Sequence, residues 1–168
     1  MACDPVVRRS RGFTLIEMLV VLLIMGLLVG LVGALARPDD AARVRVEADR
    51  LGQLLVLAAT ESRLTGESIA WVPDAQGYRF WRTETLGPSP ARWSEIAGND
   101  PLRARTLPPG MRIASLLVEN MPVSGAMRLE FVPHAPAPSF TIGLVLGAVR
   151  YLVAASPIGE VQVRSDDG

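Results

Sequence analysis

The sequence contains no lysine; its 17 basic residues are all arginine, set against 17 acidic ones. The absence removes the side chain that most often serves as a Schiff-base or amine nucleophile. The equal counts leave no global field to draw the chain toward nucleic acid or a charged surface. Cysteine occurs once, at Cys3, and histidine once, at His134. An intrachain disulfide needs two thiols, and a structural zinc site needs four Cys or His ligands, so both are excluded. With 168 residues there is room for one domain plus an anchor or tail.

Charge is also missing from one long stretch. Arg8, Arg9 and Arg11 precede residues 13–36, where Glu17 is the sole ionisable side chain. As a helix this segment would reach roughly 36 Å, enough to cross the hydrocarbon core of a bilayer. Arginines before the span predict a cytoplasmic N-terminus and a C-terminal region on the other side. An ordinary secretory signal shares the basic start, but its apolar core is shorter, about 7–15 residues. Cleavage near Gly33-Ala34-Leu35-Ala36 would also leave Glu17 unexplained. An acid this early in a spanning helix has two readings. It can reach back to the headgroups, or it can meet a cation, since an unpaired charge near the bilayer centre costs about 2.5–3.5 kcal/mol. A peptide break before Phe13 would supply that cation as a new α-amine, mostly protonated at neutral pH.

The run Arg11-Gly12-Phe13-Thr14-Leu15-Ile16-Glu17, followed at once by the apolar stretch, resembles the processing motif of type IV pilins and type II secretion pseudopilins. The resemblance implies cleavage between Gly12 and Phe13 by prepilin peptidase, N-methylation of Phe13, and an assembly role for Glu17. Residues 1–12 would then be a leader and 13–36 a transmembrane assembly helix.

Within the span, Gly26, Gly30 and Gly33 fit a close helix contact, ordinary membrane-helix composition, or, together with Pro38, a weakened helix. Beyond it, Val44, Ala48, Leu51, Leu55 and Ala58 recur at helical spacing, with Leu54 and Ala59 widening the stripe. A helix over 39–64, stopping near Gly66, follows; the charges at Arg43, Arg45, Glu47, Asp49, Arg50, Glu61 and Arg63 are assigned to a solvated face or to subunit contacts. Residues 37–66 therefore continue the anchor, and 67–168 form a β-rich domain. Residues 68–72 and 78–82 flank Pro73-Asp74-Ala75-Gln76-Gly77 as a hairpin. The proline-rich stretch 85–110 reads as an irregular insertion with a short strand at 104–107. Further strands are expected at 111–118, 127–132, 139–146, 148–155 and 160–164, with turns at Gly147 and Ser156-Pro157-Ile158-Gly159. The fold class is α+β: a long N-terminal helix, first transmembrane and then amphipathic, on an antiparallel sheet or sandwich.

The weaker signals Gly66-Glu67-Ser68, Gly77-Tyr78-Arg79-Phe80 and Arg128-Leu129-Glu130-Phe131-Val132-Pro133 resemble the H-type minor pseudopilins, with a departure at His134-Ala135-Pro136-Ala137-Pro138, where the family often has an Asp-Gly turn. This implies a pilin-like subunit of a type II secretion pseudopilus. It would be anchored in the bacterial inner membrane with its domain in the periplasm. Its partners would be the lipid bilayer, prepilin peptidase, other major and minor pseudopilins and the inner-membrane secretion platform. The alternative is a type IV pilus minor pilin for pilus assembly or DNA uptake. Without residues 1–12 the chain keeps 14 arginines against 16 acids, so nucleic acid is not an expected partner. No nucleophile elbow, phosphate loop or metal spacing is found, so neither enzyme activity nor a cofactor or metal is expected. His134 reads as an exposed loop residue, Trp71, Trp81 and Trp93 as core or interface, and Asp166-Asp167 as a solvated tail.

Overall fold

The computed structural model describes residues 14–35, 39–84, 92–123, 125–156 and 159–166, with side chains for all of these except 31–35. The expected leader (residues 1–12, with Gly12), Phe13, Pro38 and Asp167 lie outside them. The chain divides into two compact units between Pro38 and Asp39.

The first unit contains α1 (Leu15–Leu35), which is helical straight through Gly26 and Gly30. A methyl group at either glycine would meet nothing within 4 Å among the described residues.

The second unit begins with α2 (Asp40–Thr65). Asp39 caps it, its carboxylate accepting from the backbone N–H groups of Ala41 and Ala42 at 3.1 and 3.2 Å. Gly66 ends it with φ of 75°, a left-handed conformation that a side chain disfavours, and its N–H donates to the Ser62 carbonyl. Val44, Ala48, Leu51, Leu55 and Ala58 are all buried, so the apolar stripe is the packed face.

Ten strands follow among the described residues: β1 (Ile69–Pro73), β2 (Gly77–Glu84), β3 (Arg92–Glu95), β4 (Arg105–Thr106), β5 (Met111–Val118), β6 (Met121–Pro122), β7 (Leu129–Phe131), β8 (Phe140–Leu146), β9 (Val149–Ala155) and β10 (Val161–Ser165). They form two antiparallel five-stranded sheets. One runs β3-β2-β1-β7, with β4 also on β2; the other runs β10-β9-β8-β5-β6. Helix α2 lies against β8, β9 and β10 and touches β1 and β7, so both sheets share one core. Trp71, Tyr78 and Phe80 form a stepwise ring cluster from the first sheet, with centroids 6.2 and 6.1 Å apart. Phe131 meets Phe140 edge-on across the sheets. Ser62 Oγ, buried on α2, donates to the Phe131 carbonyl at 2.9 Å and ties the helix to β7.

Two strands, β3 and β6, go beyond those that the sequence pattern predicts. β3 lies within the supposed irregular insertion, and the same stretch delivers Ile96, Leu102 and Leu107 into the core. β6 pairs with β5 through a two-residue turn at Glu119 and Asn120, with φ of 52° and 62°. Such a turn needs left-handed backbone at both positions, and a glutamate gives no sign of it.

Candidate assembly site

The N-terminal motif is described from Thr14 onward. Thr14 starts α1: its hydroxyl accepts from the Glu17 N–H at 3.3 Å, and its carbonyl accepts from Glu17 and Met18 at 3.1 and 3.3 Å. Thr14 and Glu17 thus occupy the Ser/Thr and Glu positions of a capping-box sequence. A carboxylate in the first turn is also favoured by the helix dipole. Glu17 can therefore serve helix initiation in addition to the assembly role implied above. The structure brings Thr14 and Glu17 together; Gly12 and Phe13 lie outside the described residues.

Every described side chain of α1 is exposed, from Leu15 at 79% to Val29 at 73%. A helix that is apolar all round has no core of its own to face and calls for lipid or other helices. Among the described residues no helix is long and apolar enough to cross a membrane. Side chains on α1 are described only to Gly30, whereas the apolar segment in the sequence covers 13–36.

In the C-terminal unit the charges are mostly paired. Glu47 is a correction to the sequence reading: it is 4% exposed, not on the solvated face. Its Oε1 accepts from Tyr78 Oη at 3.3 Å and its Oε2 from Arg50 at 3.1 Å. Burial, and then Glu47, push the Tyr78 phenol above its ordinary range. The signal was available, since residue 47 stands between Val44 and Leu51 on the same helical flank. Arg82 reaches from β2 to Glu61 on α2 at 2.5 Å and to Asp100 at 3.5 Å. Asp74 closes the first hairpin, accepting from the N–H groups of Gln76 and Gly77 at 2.8 Å and from Arg79 at 2.9 Å. Arg79, followed by the backbone bond from Gln76, holds the Asp74 carboxyl below its ordinary value.

Trp71 is buried in the core, while Trp81 and Trp93 are half-buried; Arg128 lies over the Trp93 ring at 4.1 Å. His134 is exposed with φ of 65°, taking the left-handed turn position. Asp166 pairs with Arg150 at 3.4 Å. No group of three or more His, Cys, Asp or Glu side chains suited to a metal occurs among the described residues.

Residues 7–33 match the family model of the prokaryotic N-terminal methylation motif. No curated protein matches the chain. Two solved structures of the minor pseudopilin EpsH from the type II secretion system of Vibrio cholerae resemble it. One gives a TM-score of 0.53 at 16% identity over 75% of this chain and 99% of the other. The second gives 0.56 at 15% identity, covering 75% and 98%. The chain thus joins a prokaryotic N-terminal methylation motif to an α+β domain with the fold of a minor pseudopilin.

Proposed function

We propose that the protein is a minor pseudopilin, a structural subunit of the type II secretion pseudopilus that supports protein export across the outer membrane. The reading rests on one conjunction: an N-terminal methylation motif at residues 7–33 on a chain whose remaining domain has the EpsH fold. Prepilin peptidase cuts after Gly12 and the new Phe13 amine is methylated, which keeps its positive charge. The segment 13–36 holds the subunit in the inner membrane, with the C-terminal unit in the periplasm. In the assembled filament Glu17 accepts the Phe13 amine of a neighbouring pseudopilin in a low-dielectric helix bundle, where a charge-assisted bond is strong. The role is structural, not catalytic, and the exposed apolar side chains of α1 are the surface that other pseudopilins cover.

The test is mass spectrometry of the chain extracted from membranes of cells with active prepilin peptidase. The expected mature product begins at a methylated Phe13. A product that still begins at Met1, or one trimmed past the apolar run, overturns the reading.

A further inference from the structure

Strand β10 closes one sheet and pairs only with β9 among the described residues. Its ladder has a defined parity. Ser156 donates to the Glu160 carbonyl and Asp166 to the Arg150 carbonyl. Bonded pairs recur every second residue in an antiparallel ladder, so Gln162 and Arg164 exchange bonds with β9. The backbone groups of Val161 and Val163 therefore point outward, along the open edge. The side chains follow the opposite parity: Val161 and Val163 pack toward α2, while Glu160, Gln162 and Arg164 are exposed on the other face.

An open edge is a template for another strand. Beside this one runs a groove of about 480 Å³ between α2 and β10, lined by Asp49, Gly52, Gln53, Val56, Val161 and Val163. We propose that the edge pairs with the β10 edge of a second copy of this chain, antiparallel about a two-fold axis at Gln162. In that register Val161 and Val163 of one copy exchange backbone bonds with Val163 and Val161 of the other. Their side chains fall on the α2 side, over the groove. On the exposed face Glu160 stands opposite Arg164 twice, and Gln162 stands opposite itself.

Charge favours this register, which sets Glu160 against Arg164 twice. Sliding by two residues in one direction sets Glu160 against Asp166, and by four sets Arg164 against its own copy; both oppose like charges, which is unfavourable directly across strands. Arg164 has no ion pair among the described residues, so it is available. The contact uses no residue of α1 and stands apart from the pseudopilin reading.

The experiment uses the full chain in membranes, with Cys3→Ser throughout, and the added variant Gln162→Cys. Non-bonded antiparallel pairs bring Cα atoms to about 4.5 Å, within disulfide reach. Mild oxidation is expected to give a disulfide-linked dimer with Gln162→Cys and not with Arg112→Cys, an exposed position on β5. Adding Glu160→Arg is expected to lower the dimer yield about tenfold, because two exposed attractions become repulsions. Adding Glu160→Arg together with Arg164→Glu is expected to restore it, which also shows that the altered strand still folds. Equal cross-linking at positions 112 and 162, none at 162, or indifference to the charge reversal overturns the proposal.

Discussion

Tyr78 Oη on β2 donates to Glu47 Oε1 on α2 at 3.3 Å, joining a helix and a strand through a bond buried inside the C-terminal unit. Both groups are polar and both are almost fully covered. Each makes the other tolerable in the core, since a buried polar group without a partner costs more than the bond itself contributes.

Tyr78→Phe is expected to cost about 1–2 kcal/mol, measured by urea unfolding, because it leaves Glu47 Oε1 unpartnered. The pH dependence has a definite sign. The folded phenol titrates above its ordinary value of 10.0, by burial first and the Glu47 charge second. The folded state therefore holds this proton more tightly than the unfolded chain. Its contribution is complete below about pH 10 and declines as pH rises beyond that. Tyr78→Phe is expected to abolish that decline.

Arg82 bridges Glu61 on α2 and Asp100 in the loop that also buries Leu102. All three side chains are about one quarter exposed, so solvent screens the pair. Arg82→Ala is expected to cost about 1 kcal/mol in unfolding. Arg82→Lys should recover only part of it, because an ammonium lacks the planar fork that serves two carboxylates. Full recovery by lysine would show that charge alone suffices.

Gly77 opens β2 where β4 crosses it. A methyl group there would collide with the Arg105 carbonyl of the paired strand, a backbone atom that cannot swing aside. Gly77→Ala is expected to cost about 2–3 kcal/mol by overpacking, read as a lower midpoint in thermal or urea unfolding. A change below about 0.5 kcal/mol, the range of unremarkable surface substitutions, would contradict this.

Glu17→Ala concerns assembly. The variant is expected to insert into membranes and to be cleaved normally, yet to be recovered poorly with other pseudopilins in pull-downs from membranes. Normal co-assembly would remove Glu17 from the proposed pairing.

The elements that were legible in advance are those carried by local patterns. The stripe from Val44 to Ala58 outlined α2, and Asp74 with Gly77 marked the first hairpin, since an Asx turn is written in adjacent residues. β5, β8, β9 and β10 appeared within a residue of their expected bounds. β3 was hidden because its pairing partner is β2, across a proline-rich stretch whose composition resembles a loop. Glu47 is buried against the expectation for a charged residue, because its helical position among the apolar neighbours at 44, 48 and 51 encloses it.

The sequence alone determined the N-terminal motif, the apolar segment with its single acid, and the order of α2 and eight of the ten described strands. These depend on residue type and spacing over a few turns of chain. Only the tertiary structure decided that the strands divide into two sheets around α2. It alone set Tyr78 against Glu47 and left the outward backbone groups of Val161 and Val163 without a neighbouring strand among the described residues. The reason is physical: pairing and burial are contacts between segments far apart in the chain, and their energies depend on which surfaces meet.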